Sequence, residues 1–127
     1  MSPLVPIVVV ACLLSTAACA RHEECGPEDD CPLSVEHAGE VYLVSCDPVP
    51  RRLVGTGVDV TYDEERRYGP AYGVDGAAIR GFDAGEALAV RFAHEECSEP
   101  GWHLAHARDL PLDVLKAVFR RLHRARG

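Results

Sequence analysis

The chain has 127 residues, a formal net charge of −7 and 26% charged side chains, which is material for one small domain. The acidic excess argues against nucleic acid as a partner, because gripping a phosphate backbone needs a basic surface. The basic residues are Arg apart from Lys116, and Asn does not occur, a bias of genome composition that also leaves no acceptor for N-linked glycans.

Residues 1–18 carry no charged side chain, and the apolar run from Val5 to Leu14 has the length of the hydrophobic core of a secretory signal. It is shorter than the roughly 20 residues a transmembrane helix needs, since Arg21-His22-Glu23-Glu24 follows it closely. Ser15-Thr16-Ala17-Ala18 then offers the small residues that a signal peptidase accepts. The reading is a signal over 1–18, an acidic tether over 19–30 and a single domain over 31–127. Gly26-Pro27 and Glu28-Asp29-Asp30 argue against regular structure in the tether.

Thr16-Ala17-Ala18-Cys19 resembles the lipobox of bacterial lipoproteins, with Thr16 where that motif usually has Leu. The resemblance implies a lipid on Cys19 and a domain held on the extracytoplasmic face of the cell membrane. Cleavage after Ala18 or Ala20, giving an ordinary secreted protein, is the alternative.

Setting aside Cys12 and Cys19, the cysteines are Cys25, Cys31, Cys46 and Cys97, an even number that in an exported small domain predicts two disulfides. A hairpin turning at Ala38-Gly39 would set Cys31 opposite Cys46 and leave Cys25 for Cys97. The other arrangement favoured by spacing is Cys25 with Cys31 and Cys46 with Cys97. We favour the second, because a two-residue type I′ turn wants positive φ at both central positions and Ala resists it.

From Pro32 onward the pattern is strand-like. Leu33, Val35 and His37, then Val41-Tyr42-Leu43-Val44, read as a hairpin, stopped by Asp47-Pro48-Val49-Pro50. A third strand is predicted over 53–62, with Val54, Thr56, Val58, Val60 and Tyr62 on one face. Residues 63–76, with three glycines and Pro70, read as a polar loop of the kind that carries binding residues. A second hairpin is predicted from Ala77–Phe82 and Ala87–Phe92, and a short strand around Trp102, Leu104 and His106. Leu115, Val118, Phe119 and Leu122 form the apolar stripe of a C-terminal amphipathic helix with Pro111 in its first turn and Asp109 as its cap. The expected fold is therefore α+β, a mostly antiparallel sheet of five or six strands covered by one helix. The stretch Ile79 to Val90 and the spacing Cys31-x-x-x-Val35-x-x-x-Gly39-x-x-Tyr42 are similar to segments of small actinobacterial lipoproteins; that resemblance implies export and brings no activity with it.

No catalytic signature is present. Ser34, Ser45 and Ser98 lie in no Gly-x-Ser-x-Gly elbow, so the expectation is a non-enzymatic envelope domain without cofactor, binding a protein, peptide or small ligand. The rival reading is a metal-binding or metal-delivery lipoprotein that uses His94, His103, His106 and Cys97. Thiols in an oxidising compartment are bridged more often than metallated, and no Cys-x-x-Cys pair accompanies these histidines. Two further features have paired readings. The basic C-terminal helix either contacts anionic lipid headgroups or simply docks on the sheet while acidic neighbours accept its arginines; docking is favoured. Trp102 near His103 and the Tyr68/Tyr72 loop either forms an aromatic binding face or belongs to the core, and the core is favoured.

Overall fold

The first hairpin forms where the alternation predicts it. In the computed structural model, which describes residues 33–127, β1 (Ser34–His37) pairs antiparallel with β2 (Glu40–Pro48), His37 facing Glu40. The signal, Cys19, the tether, Cys25 and Cys31 lie outside the described residues. The turn is Ala38-Gly39, with φ of 52° and 80°. Ala38 in that conformation costs about 1–2 kcal/mol, and the register holds it there. Val35 sits directly opposite Tyr42 and both are buried, so a slip of one residue would expose both.

The expected strand over 53–62 is in fact two. After a 3₁₀ turn at Arg51–Leu53, β3 (Val54–Val58) ends, and β4 (Thr61–Tyr62) begins after Asp59-Val60. The single apolar face is also corrected: Val54 packs with the helix-side cluster, whereas Val58, Val60 and Tyr62 pack on the other side. The register of β3 against the next strand shifts between Val54 and Gly57, and one extra residue in a strand reverses every side chain beyond it.

Residues 63–76 are more ordered than their composition suggests. α1 (Asp63–Tyr68) carries its acids in the first turn and Arg66 and Arg67 in the last, as the helix dipole favours, and a second 3₁₀ turn follows at Pro70–Tyr72. β5 (Val74–Ile79) starts earlier than expected, with Gly76 inside the strand. β6 (Ala87–Phe92) and β7 (His103–Ala107) lie where predicted.

The strands form one antiparallel seven-stranded sheet, not one of five or six, in the order β3-β5-β6-β7-β2-β1-β4. β3 and β4 are its opposite edges, yet only Asp59-Val60 separates them in the chain. A flat sheet of this size would hold those edges about 29 Å apart, while the connection reaches about 11 Å at most. The sheet must therefore curl until its edges nearly meet. The concave side encloses Val35, Tyr42, Tyr62, Leu88, Val90 and Ala105. The convex side carries Ile79, Ala87, Ala89 and Leu104 beneath α2 (Leu112–Arg126), which buries Val118 and Leu122 there. Strand β6 is consequently covered on both faces over Ala87 to Val90, which are fully buried and form a continuous apolar run with no alternation before Arg91.

The predicted helix is present, but Asp109 does not cap it. The first helical bond runs from the Leu115 N–H to the Pro111 carbonyl, and no side chain caps the start. Asp109 lies upstream of that point, beside Arg108 at 3.8 Å. Among the described residues no helix is long and apolar enough to cross a membrane.

One disulfide joins Cys46 to Cys97, 51 positions apart with Cα atoms at 5.4 Å. This is half of the favoured arrangement, although the ground for favouring it fails, since Ala38 does take the positive φ of a two-residue turn; the other pair falls outside the described residues. The hairpin register extends to Leu33, whose carbonyl accepts from the Val44 N–H at 2.7 Å. Cys46 departs from that ladder because β2 is irregular against β7 between Val44 and Pro48, and Cys46 itself adopts φ 61°.

Candidate functional site

The least regular segment of the body brings the exposed aromatic residues together. α1 ends at Gly69, whose φ of 91° is open to glycine and strained for other residues, and the Gly69 N–H closes the helix on the Glu65 carbonyl at 2.9 Å. The chain then re-enters a 3₁₀ turn at Pro70, where the Tyr72 N–H donates to the Gly69 carbonyl at 3.0 Å. The reversal sets the Tyr68 and Tyr72 rings 5.2 Å apart, and Tyr72 stacks on His94 at 4.3 Å with 23° between planes. Tyr68 is 58% exposed and Tyr72 40%, so these rings cover one another and still face water.

Two clefts adjoin this stack and share Arg91, Phe92 and Ala93. One, of about 250 Å³, runs under His94, Glu95, Glu96 and Glu99 to His103. The other, of about 320 Å³, lies between Glu65, Gly73 and Asp75. Among the described residues their walls carry five carboxylates, Glu65, Asp75, Glu95, Glu96 and Glu99, against the one guanidinium of Arg91. That guanidinium is already engaged, bonded to Asp75 at 3.0 Å across the β5–β6 pair and lying 4.7 Å from the Trp102 ring. Glu65 Oε2 is buried with no hydrogen-bond partner among the described residues. The site is thus an electronegative, aromatic-edged concavity suited to cationic groups.

Tyr62 braces one wall. Its ring meets Phe92 edge-on at 5.0 Å and its hydroxyl donates to Glu96 Oε1 at 3.0 Å. Burial first, then that hydrogen bond and the charges of Glu96, Glu64 and Asp63, push the Tyr62 phenol well above its ordinary range. The folded chain therefore keeps a proton that the unfolded chain loses near pH 10, so stability is complete below that pH and falls as pH rises beyond it. Urea midpoints measured from neutral pH to about pH 12 should show this decline. Tyr62→Phe should flatten it in part. The remainder comes from Tyr42, also raised by burial and by Glu40 and Asp83. An unchanged slope in Tyr62→Phe would contradict the assignment.

The residues of the metal reading are not brought together. Cys97 is bonded to Cys46 and offers no thiolate. His103 and His106 stand three apart on β7 and so face opposite sides of the sheet. His103 is buried, whereas His106 meets Phe119 of α2 edge-on at 5.9 Å. His94 is stacked under Tyr72. Among the described residues no three His, Cys, Asp or Glu side chains are grouped as metal ligands would be. Trp102 packs against the helix-side core, as favoured. The Tyr68/Tyr72 loop does carry the exposed aromatics, but its partner is His94 and not Trp102.

The 63–76 stretch expected to carry binding residues does contain Glu65 and Asp75, but sequence reasoning missed Arg91. The Asp75–Arg91 pair becomes readable once β5 is registered against β6. Fold and site together define a small antiparallel α+β domain, stapled by a disulfide, with an acidic aromatic concavity at one end of its sheet. No protein-family model matches the chain, and neither a curated protein nor a solved structure is significantly similar to it.

Proposed function

We propose that this is an exported, lipid-anchored envelope domain whose concavity binds ligands bearing ammonium or guanidinium groups, such as a basic segment of a protein or peptide. The observation that carries the binding reading is the exposed Tyr68–Tyr72–His94 stack beside two clefts with five carboxylates and one paired Arg. Exposed aromatic faces next to unneutralised carboxylates attract cations by ring quadrupole and by charge at once. The disulfide Cys46–Cys97 is in keeping with an oxidising compartment, and a second bridge between Cys25 and Cys31 belongs to the same reading.

Calorimetric titration of the whole chain with a Lys/Arg-rich peptide and with its Glu-substituted counterpart tests the site. Binding is expected for the basic peptide alone, and Tyr72→Ala should weaken it by about 1 kcal/mol or more. Equal binding of both peptides, or none, refutes the reading. Mass spectrometry of the mature N-terminus decides the anchor in the same preparation: a diacylglyceryl mass on Cys19 supports it, and an unmodified terminus at Cys19, Ala20 or Arg21 removes it.

A further inference from the structure

Charge is unevenly divided over the chain. α2 and the turn Arg51–Leu53 hold seven of the thirteen Lys and Arg residues and a single acid, Asp113; the rest of the chain holds six bases against nineteen acids. A net of +6 thus stands against −13. Because α2 buries the side that carries Val118 and Leu122, its opposite side presents Lys116, Arg120, His123 and Arg124, all exposed, at i, i+4, i+7 and i+8 of one stripe. An open groove of about 540 Å³ runs along this stripe, lined among the described residues by Phe119, Arg120, His123, Arg124 and Arg126, with Asp47 as the one acid.

Docking on the sheet accounts for the apolar side of this helix and leaves the cationic side unexplained. Among the described residues the ion pairs use Arg66, Arg91 and Arg108, and no cation of α2 takes part in one. Arg121 and Arg52 donate to the backbone carbonyls of Gly81 and Ala125 instead, which fixes the helix at its flanks. Like charges at i and i+4 repel, and the helix dipole compensates only those in the last turn, so Lys116 and Arg120 gain nothing from it. Among the described residues this repulsive row has no ion-pair partner.

We infer that the exposed stripe of α2 is a docking surface for the phosphate headgroups of an anionic bilayer. Charge complementarity chooses this occupant. A planar surface meets the stripe alone, and screening within about a Debye length hides the acidic remainder from it. A long polyanion such as DNA gains its affinity from many phosphate contacts in an extended basic surface, and the −13 balance elsewhere opposes that. The inference rests on the reading that the domain works beside a membrane and needs no lipid on Cys19.

The test is flotation of the full chain with phosphatidylcholine vesicles, with and without phosphatidylglycerol, at low and high salt. Any contribution of the N-terminal segment or its lipid appears with both vesicle types, so its failure lowers that background and leaves the phosphatidylglycerol-dependent increment readable. That increment should be on the order of 100-fold at low salt, about fivefold for each engaged cation, and should collapse at high salt. The triple variant Lys116→Gln, Arg120→Gln, Arg124→Gln should lose it with an unchanged melting curve, while Arg120→Lys with Arg124→Lys should keep it. An absent increment, one insensitive to salt, or one retained in the triple Gln variant overturns the inference. Binding of a DNA duplex as strong as that of the anionic vesicles overturns it as well. Should the Gln variant fold poorly, the salt and lipid dependence of the wild-type chain decides.

Discussion

Replacing Cys46 and Cys97 by alanine is expected to lower stability by about 4 kcal/mol, the chain-entropy value for a loop of this length. The bridge spans 51 positions and includes all of β3 to β6, so breaking it releases most of the sheet in the unfolded chain. In a domain of this size the loss corresponds to a fall in Tm of roughly 15 °C or more. Part of it should be recoverable. Cys46 sits at φ 61°, a conformation that alanine finds as costly as cysteine does and that glycine adopts freely. The pair Cys46→Gly with Cys97→Ala should therefore exceed the double alanine variant by about 1 kcal/mol. Thermal and urea unfolding of both variants, against wild type with and without reductant, measures the two quantities. A double alanine variant as stable as wild type would show that the bridge constrains nothing.

The closing of the sheet has its own critical position. A Cβ added at Gly76 would lie 2.6 and 2.9 Å from the two methyls of Val60 and 3.0 Å from the Val58 carbonyl oxygen. Val60 is stiff at χ1 and the carbonyl belongs to the paired edge of β3, so neither yields easily. Gly76→Ala is expected to cost about 2–3 kcal/mol. Gly57, also in the β3–β5 pair, is the control, because a Cβ there meets only the Gly76 carbonyl oxygen at 3.8 Å; Gly57→Ala should be close to neutral. Adding Val60→Ala to Gly76→Ala should recover part of the loss despite removing a packed side chain. Urea denaturation of wild type, Val60→Ala, Gly76→Ala and the double variant completes the cycle, and equal stability of Gly76→Ala and the Gly57→Ala control would mean that the β3–β4 connection does not press on β5.

The legibility of the candidate site follows the same contacts. The exposed aromatics Tyr68 and Tyr72 could be singled out from a glycine- and proline-rich stretch, but their stacking partner His94 belongs to another strand end and was grouped instead with His103 and His106 as a metal ligand. Spacing suggested that grouping. A strand's alternation of faces undoes it for His103 and His106, and the stack on Tyr72 occupies His94. The carboxylates share that difficulty: Asp75 and Glu65 are distant in sequence from Glu95, Glu96 and Glu99, and only the curled sheet and the α1 turn place the two sets in adjoining clefts that share Arg91, Phe92 and Ala93.

Local periodicity and composition determined, by themselves, the α+β class, the first hairpin, strands β6 and β7, and the C-terminal helix with its buried stripe. Each of these rests on interactions between near neighbours, whereas the pairing of Cys46 with Cys97 was one of two arrangements the sequence leaves open. Tertiary structure alone decided the rest: the break of 53–62 into two edge strands, the extension of β5 through Gly76, the seventh strand, and the inward and outward sides of the sheet. Those outcomes turn on a bulge between Val54 and Gly57 and on Val60 lying over Gly76. A bulge reverses alternation without changing composition, and a glycine under a valine from another strand carries no local mark that separates it from a glycine in a loop.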